Sequence, residues 1–205
     1  EQASAPLVRR YRARAAAGRT VVDAGCGIGA DALAMARAGG GVLGLDIDPV
    51  RVAMARHNVA ALGIPARFEV ADVRAGLPPS DMAFYDPARR DDAGRRIHNV
   101  ERYEPPLSLV REWAQPLILV KLSPGVDLAQ LEAYDGRVEF ISVHGDLKEA
   151  ALWLDGQSTG TEATLLTGEG ENHWRPGSVP VVAPLDAPRA WLVEPDAALL
   201  RAGLV

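Results

Sequence analysis

An aspartate two residues ahead of a run of alternating glycines is where this 205-residue chain first shows spacing that could do chemistry. The stretch is VVDAGCGIGAD, residues 21–31, with Asp23 ahead of Gly25, Gly27 and Gly29. Glycine lets backbone turn sharply and approach a ligand closely. The helix pattern that follows, ADALAMARAG, would present unpaired N–H groups and a partial positive charge to the loop. Gly25, Gly27 and Ala30 formally fit the G-x-G-x-x-G/A spacing of dinucleotide sites. Asp23 argues against that ligand, because a carboxylate beside a pyrophosphate is repelled in a low-dielectric site. Beside the ammonium group of a methionine moiety it is attracted. The D-x-G-x-G-x-G spacing therefore favours S-adenosylmethionine (SAM) as cofactor over a nicotinamide dinucleotide.

Two more acids continue the pattern. Asp46 ends the apolar run GVLGLD, about twenty residues on, where a carboxylate can accept both ribose hydroxyls of a nucleoside. Hydrogen bonds to a charged acceptor contribute ~1.5–3 kcal/mol each. Asp72 follows the run ARFEV and is placed to take an adenine amino group, with Ile47 and Val73 against the ring.

The elements that must position these acids can be read from periodicity. Between Thr20 and Val143, short apolar runs (TVVDA, GVLGLD, ARFEV, MAFYD, PLILVKL, VEFISV) alternate with helix-like or loop segments. Such alternation predicts βαβ units and a parallel sheet, whose strands all end on one side where ligands bind. After Val143 the pattern changes. EAALWLD and EATLLT are strand-like, and their closeness to VEFISV suits a hairpin better than a crossover. Residues 76–106 hold about twenty residues of weak periodicity after MAFYD, and loops that long are usually functional or disordered.

With these residues in view, VVDAGCGIGADALAMA, GLDIDPVRVAMARHN and ADV resemble the opening motifs of class I SAM-dependent methyltransferases. DPARR, VKLSPG, HGDLKEAALWL and WLVEPDAALLRAGLV resemble a bacterial family of that class with a THUMP-like domain after the catalytic one. The resemblance implies an α/β, Rossmann-like fold with a seven-stranded, mostly parallel sheet in the order 3-2-1-4-5-7-6 and helices on both faces. It implies an N-terminal helical segment over 1–19, a SAM-binding domain over 20–167, and a linker with the start of a further, THUMP-like domain over 168–205. It also implies an RNA substrate. The absent initiating methionine and the apolar-periodic stretch at Leu204-Val205 agree with a piece of a longer protein.

The acceptor side is expected at the fourth strand's end, where Asp86-Pro87-Ala88-Arg89-Arg90 resembles the D/N-P-P-Y/F motif of amino-group methyltransferases. Asp86 and the Pro87 carbonyl would then orient an acceptor amine, although Ala88 replaces the second proline and Arg89 the aromatic. Arginine planes also stack on bases. Arg89, Arg90, Ser123, His144 and Lys148 are expected substrate contacts. Ser123 stands where uridine C5-methyltransferases need a cysteine, so thiol-dependent C5 chemistry is excluded. Lys121, inside the apolar run PLILVKL, is expected to pair with Asp86.

Bulk properties narrow the choice. The net charge of −5 places any nucleic-acid affinity in a local patch, and arginines crowd residues 9–14 and 89–102. A lone cysteine, Cys26, permits no internal disulfide. No membrane span or signal peptide is read, which points to a cytoplasmic protein. The four scattered histidines show no ligand spacing, so no metal is expected. A small-molecule methyltransferase and a non-catalytic SAM- or RNA-binding module remain as alternative functions.

Overall fold

The computed structural model describes residues 4–90, 93–177 and 193–205. Among the described residues, nine strands form a single sheet: β1 (Thr20–Ala24), β2 (Gly41–Asp46), β3 (Ala66–Val70), β4 (Met82–Tyr85), β5 (Leu117–Leu122), β6 (Arg137–Val143), β7 (Asp146–Leu154), β8 (Gly160–Leu166) and β9 (Glu171–Trp174). Their order is 3-2-1-4-5-7-6-8-9. The expected seven-strand order is present, and β8 and β9 extend it. β8 lies parallel to β6, and β9 turns back antiparallel to β8. Strand β9 falls in the segment expected as a linker. Its sequence, ENHW, sits on an exposed edge and carries no apolar alternation to announce it.

β1 to β5 are parallel, and β7 runs antiparallel between β5 and β6. The β6–β7 hairpin is as expected, but EATLLT in β8 pairs parallel to β6 on its other edge, by a crossover and not by the expected hairpin. The hairpin's two-residue turn, His144-Gly145, has positive φ at both positions, which suits the right-handed twist of the flanking strands. Strands β1, β4 and β5 are apolar almost throughout because both faces of the sheet are covered.

One face carries α1 (Pro6–Ala13), α2 (Ala30–Arg37) and α3 (Pro49–Leu62), which bury Val8, Met35 and Val52 against Phe84, Leu119 and Ile141. α1 lies within residues 1–19. Asp48 caps α3 by accepting from the Val50 amide, Pro49 starts it, and Gly63 ends it in a left-handed conformation. The other face is covered mostly by short 3-10 turns between residues 73 and 131, with Tyr85 and Trp113 packed edge to face at 5.2 Å. Helix α4 (Ala197–Ala202), capped by Asp196, completes that face. It docks on this sheet: Thr161 donates to the Ala202 carbonyl, and Ser142 bonds Asp196 at 3.0 Å. Residues 178–192 of the expected linker lie outside the described residues.

β1 is flanked by β2 on one side and β4 on the other, so the winding reverses there. That reversal opens a crevice at the carboxyl ends of β1 and β4. In register, Ala24 lies opposite Tyr85, which makes Gly25 and Asp86 next neighbours across the crevice.

Candidate functional site

A cleft of about 1120 Å³ opens at that crevice. Its near wall is the glycine loop. The amides of Gly25 and Cys26 both donate to the Leu45 carbonyl, at 2.8 and 2.9 Å. The Gly27 amide donates to Asp46 Oδ2 at 2.8 Å, and the Asp48 amide to Asp46 Oδ1 at 2.9 Å. Asp46 thus ties the loop to the β2–α3 turn, and each of its oxygens keeps a further lone pair for a ligand. Gly25 has φ of 83°, and a Cβ there would point to within 3.5 Å of the Asp86 carbonyl. The loop can turn and approach β4's end only because that position is glycine.

Gly29 stands apart. It does not line the cleft, and a Cβ on it would meet Phe68 and Ala55 at 3.0–3.2 Å. Its expected cofactor contact is replaced by a packing role: it lets the start of α2 settle against β3 and α3.

Asp23 lies at the cleft floor with 1% of its surface exposed. Burial, reinforced by Asp31 and Asp86 nearby, pushes its carboxyl well above the usual carboxylate range. Its Oδ2 has no hydrogen-bond partner among the described residues. An orphaned, buried carboxylate oxygen on a cleft wall fits an incoming ammonium group.

On the far side of the loop, Ile47, Val50 and Met54 are half or more exposed inside the cleft, at 60%, 59% and 51%. With Val73 beside them they form an apolar shelf for a flat ring. Asp72 lines the same end but is held by Arg74, at 2.8 Å. Val50 and Met54 were not read from the sequence. Their signal is two apolar residues at i and i+4 in the first turns of α3, where the core already had Val52 and Ala55.

Asp86 and Pro87 form the opposite wall. Lys121 Nζ sits 2.6 Å from Asp86 Oδ2, the pairing expected from the sequence. Beyond Pro87 the long loop is ordered by two antiparallel bridges, Ala88 with Glu104 and Arg90 with Arg96. The Tyr85 hydroxyl donates to the Pro105 carbonyl at 2.6 Å and pulls the loop's return leg onto the core. Arg89, Arg90 and Tyr103 therefore line the cleft next to Asp86. Tyr103 and Glu104 were missed, because weak periodicity hides which part of a loop returns to a site.

Three expected substrate contacts lie elsewhere. Ser123 closes a turn, accepting from the Gly125 amide, and does not line the cleft. His144 and Lys148 are exposed around the β6–β7 turn, and Lys148 faces Asp146 at 3.3 Å. The turn is on the expected side of the sheet, but β7 and β5 separate it from the cleft.

The N-terminal arginines divide. Arg12 is only 3% exposed and contacts Asp31 at 2.6 Å and Glu149 at 2.7 Å, with its guanidinium 4.8 Å from the Phe84 ring centroid. It is buried behind Asp31 and is no surface contact for a polyanion. Arg14 is exposed and pairs with Glu171. Cys26 lines the cleft, but burial and the neighbouring Asp23 and Asp46 push its thiol far up, so it stays neutral.

Residues 21–86, which run from β1 to the end of β4 and supply much of this cleft's lining, match the methyltransferase-domain family. A candidate methyltransferase from Porphyromonas gingivalis W83 superposes over 99% of this chain and 56% of its own, with a TM-score of 0.74 and 24% identity. The fold is that of a methyltransferase domain. An uncharacterized S-adenosylmethionine-dependent methyltransferase of Mycobacterium tuberculosis H37Rv is 39% identical across 100% of this chain and 58% of that protein. An uncharacterized RNA methyltransferase of Gloeobacter violaceus is 40% identical over 42% of this chain and 20% of its own length. The chain spans little more than half the length of the first two. The matched segment ends at Asp86, so it contains the glycine loop, Asp46 and Asp72. No helix among the described residues is long and apolar enough to cross a membrane. Among the same residues, no group of three or more His, Cys, Asp or Glu side chains could hold a metal ion.

Proposed function

We propose that this chain binds SAM in the cleft and directs its methyl group to a nitrogen atom of a structured RNA. The observation that carries the cofactor reading is Asp23, a cleft-lining acid whose buried Oδ2 has no hydrogen-bond partner among the described residues, beside the Gly27–Asp46 clamp. Asp23 would take the methionine ammonium, Asp46 the ribose hydroxyls, and Ile47 with Val73 the adenine, whose amino group faces Asp72. SAM supplies an electrophilic methyl group on a sulfonium centre.

The protein's part is to hold the nucleophile in line and keep water away. The Asp86 carboxylate and the Pro87 carbonyl accept hydrogen bonds from the acceptor's N–H groups, which leaves the nitrogen lone pair facing the cofactor. Lys121 holds Asp86 in that orientation. Once the nitrogen had accepted the methyl group, Asp86 or solvent would take its surplus proton.

RNA as substrate is supported by Arg89 and Arg90 beside Asp86 and by the name of the Gloeobacter relative. Arginine forks suit phosphate, and an arginine plane can stack on a base. We place the reaction in the cytoplasm, and in the longer protein we assign RNA capture in part to a THUMP-like domain following this one. Incubation with RNA extract and isotopically labelled SAM tests the reading. Label on a nucleobase nitrogen, with RNA binding that weakens steeply as salt rises, supports it. Label only on small molecules refutes the RNA substrate, and SAM binding with no labelled product at all refutes catalysis.

A further inference from the structure

Asp31, in the first turn of α2, lines the cleft alongside Asp23, Gly25 and Gly27. Its Oδ1 is 2.6 Å from Arg12 Nη2, and its other oxygen makes no hydrogen bond or ion pair among the described residues. The Asp31 side chain keeps 16% of its surface exposed, against 3% for Arg12. Arg12 itself is fixed from several elements. It reaches Glu149 on β7 at 2.7 Å, donates to Ser4 Oγ at 2.8 Å, and lies over the Phe84 ring. An arginine so tied cannot swing away from Asp31 without leaving a buried Glu149 unpaired. Asp31 is therefore pinned through one oxygen, and the second is left for a ligand.

Asp23 is its neighbour at this end of the cleft. Burial pushes the Asp23 carboxyl up, and Asp31 is the first charge that adds to the effect. Asp23 has no salt bridge among the described residues, and its Oδ2 has no hydrogen-bond partner there although the residue is 1% exposed. The nearby cations are already engaged, Arg12 by Asp31 and Glu149 and Lys121 by Asp86. Two neighbouring acids lining one cleft, with a single arginine on the buried side of one of them, call for a further cation from the cleft.

We propose that Asp31 joins Asp23 in a two-carboxylate seat for the ammonium group of the methyl donor, and that Arg12 is the positioning residue that holds Asp31 there. Helix α1 is then part of the cofactor site. The inference rests on the cofactor reading above. An ammonium group has three N–H donors, more than the free Oδ2 of Asp23 takes up alone. Asp31 supplies a second charged acceptor, and hydrogen bonds to charged acceptors are the strong ones. Were the Arg12–Asp31 pair only a tie between α1 and α2, its loss would weaken every ligand of the cleft alike. A seat for ammonium weakens only ligands that carry one.

Calorimetry with S-adenosylhomocysteine and with its deaminated analogue, identical but for the missing amino group, separates the two cases. The parent should bind S-adenosylhomocysteine at least about tenfold more tightly than the analogue. Asp31→Asn should lose about tenfold for S-adenosylhomocysteine and about twofold or less for the analogue, because only the first loses a bond between two charges. Arg12→Lys keeps the cation but lacks the fork that spans Asp31 and Glu149, so its loss should fall on the same ligand. Thermal unfolding shows whether each variant is folded, and if Asp31→Asn is not, the comparison on Arg12→Lys decides. Equal losses for both ligands, or none for either, would overturn the seat while leaving the cofactor reading intact. Equal binding of the two ligands by the parent would do the same. Failure of S-adenosylhomocysteine to bind the folded parent would overturn the cofactor reading and this inference with it.

Discussion

Replacing Asp46 by asparagine probes the point where cofactor and loop are joined. In the parent, Oδ2 accepts the Gly27 amide at 2.8 Å and Oδ1 the Asp48 amide at 2.9 Å. An asparagine of the same shape has one oxygen, so whichever way it turns, its NH₂ group faces a backbone N–H. One amide of the loop or of the α3 entry is left without an acceptor, at a cost of ~1–3 kcal/mol to the fold. Ligand affinity falls through a separate route. Two ribose hydroxyls that would donate to a carboxylate now meet at best a neutral acceptor, a difference of ~1 kcal/mol per bond. With the loop also displaced, the expected loss is ~2–3 kcal/mol, or roughly 30- to 150-fold in Kd. Titration calorimetry with S-adenosylhomocysteine measures it, with thermal unfolding to show that the variant is folded. Lys148→Ala is the control, because Lys148 is exposed near the β6–β7 turn and does not line the cleft. Its Kd should change by about threefold or less. A folded Asp46→Asn protein with parent affinity would refute the reasoning.

Asp86→Ala should leave cofactor affinity within about threefold and remove methyl transfer, and a variant that still transfers would place the acceptor elsewhere. It also strands buried Lys121, so unfolding should become easier by ~3 kcal/mol or more, as when one partner of a buried pair is removed. Gly25→Ala forces a side chain into the left-handed region at φ 83°, at ~1–2 kcal/mol, and should weaken SAM binding in equilibrium dialysis. Parent affinity there would mean that the loop is not the cofactor's wall. Stability should also depend on pH through Glu149. Its folded-state value is raised to about 7 from 4.5, so the folded protein binds the extra proton, and that contribution is lost as pH rises through 7. Urea denaturation at pH 6 and pH 8 should show the drop, and Glu149→Gln should remove it. An unchanged slope in that variant would assign the pH dependence to other groups.

That the glycine loop and the acids beside it share one cleft was legible because their signals are local. Asp23, Gly25, Gly27 and Asp46 lie at the ends of two short apolar strands, and a parallel sheet brings such ends together whatever the rest of the chain does. The strand order through β7 followed from the same alternation together with the family resemblance. Residues whose role depends on long-range packing were not legible. Gly29 belongs to the same glycine run, yet its neighbours are Phe68 and Ala55, tens of residues away. Arg12 read as one of four surface arginines, while the fold buries it between Asp31 and Glu149. Nothing in YRAR distinguishes it from Arg14, because the distinguishing partners come from α2 and β7. Ser123, His144 and Lys148 sit at strand ends on the expected side. Whether such a residue reaches the cleft depends on how many strands lie between, which only the assembled sheet decides.

By itself, then, the sequence determined the ligand class, the glycine loop, the acids at successive strand ends and the Lys121–Asp86 pair. These rest on residue type, short spacing and the rule that a lysine in an apolar strand finds a partner. Tertiary structure alone decided that Gly29, Ser123, His144 and Lys148 stand outside the cleft, that β9 and α4 join the same sheet, and that α1 buries Arg12 behind Asp31. It decided the charge balance as well. Burial and the sum of distant charges fix the state of Asp23 and Glu149, and neither quantity exists until the elements have packed.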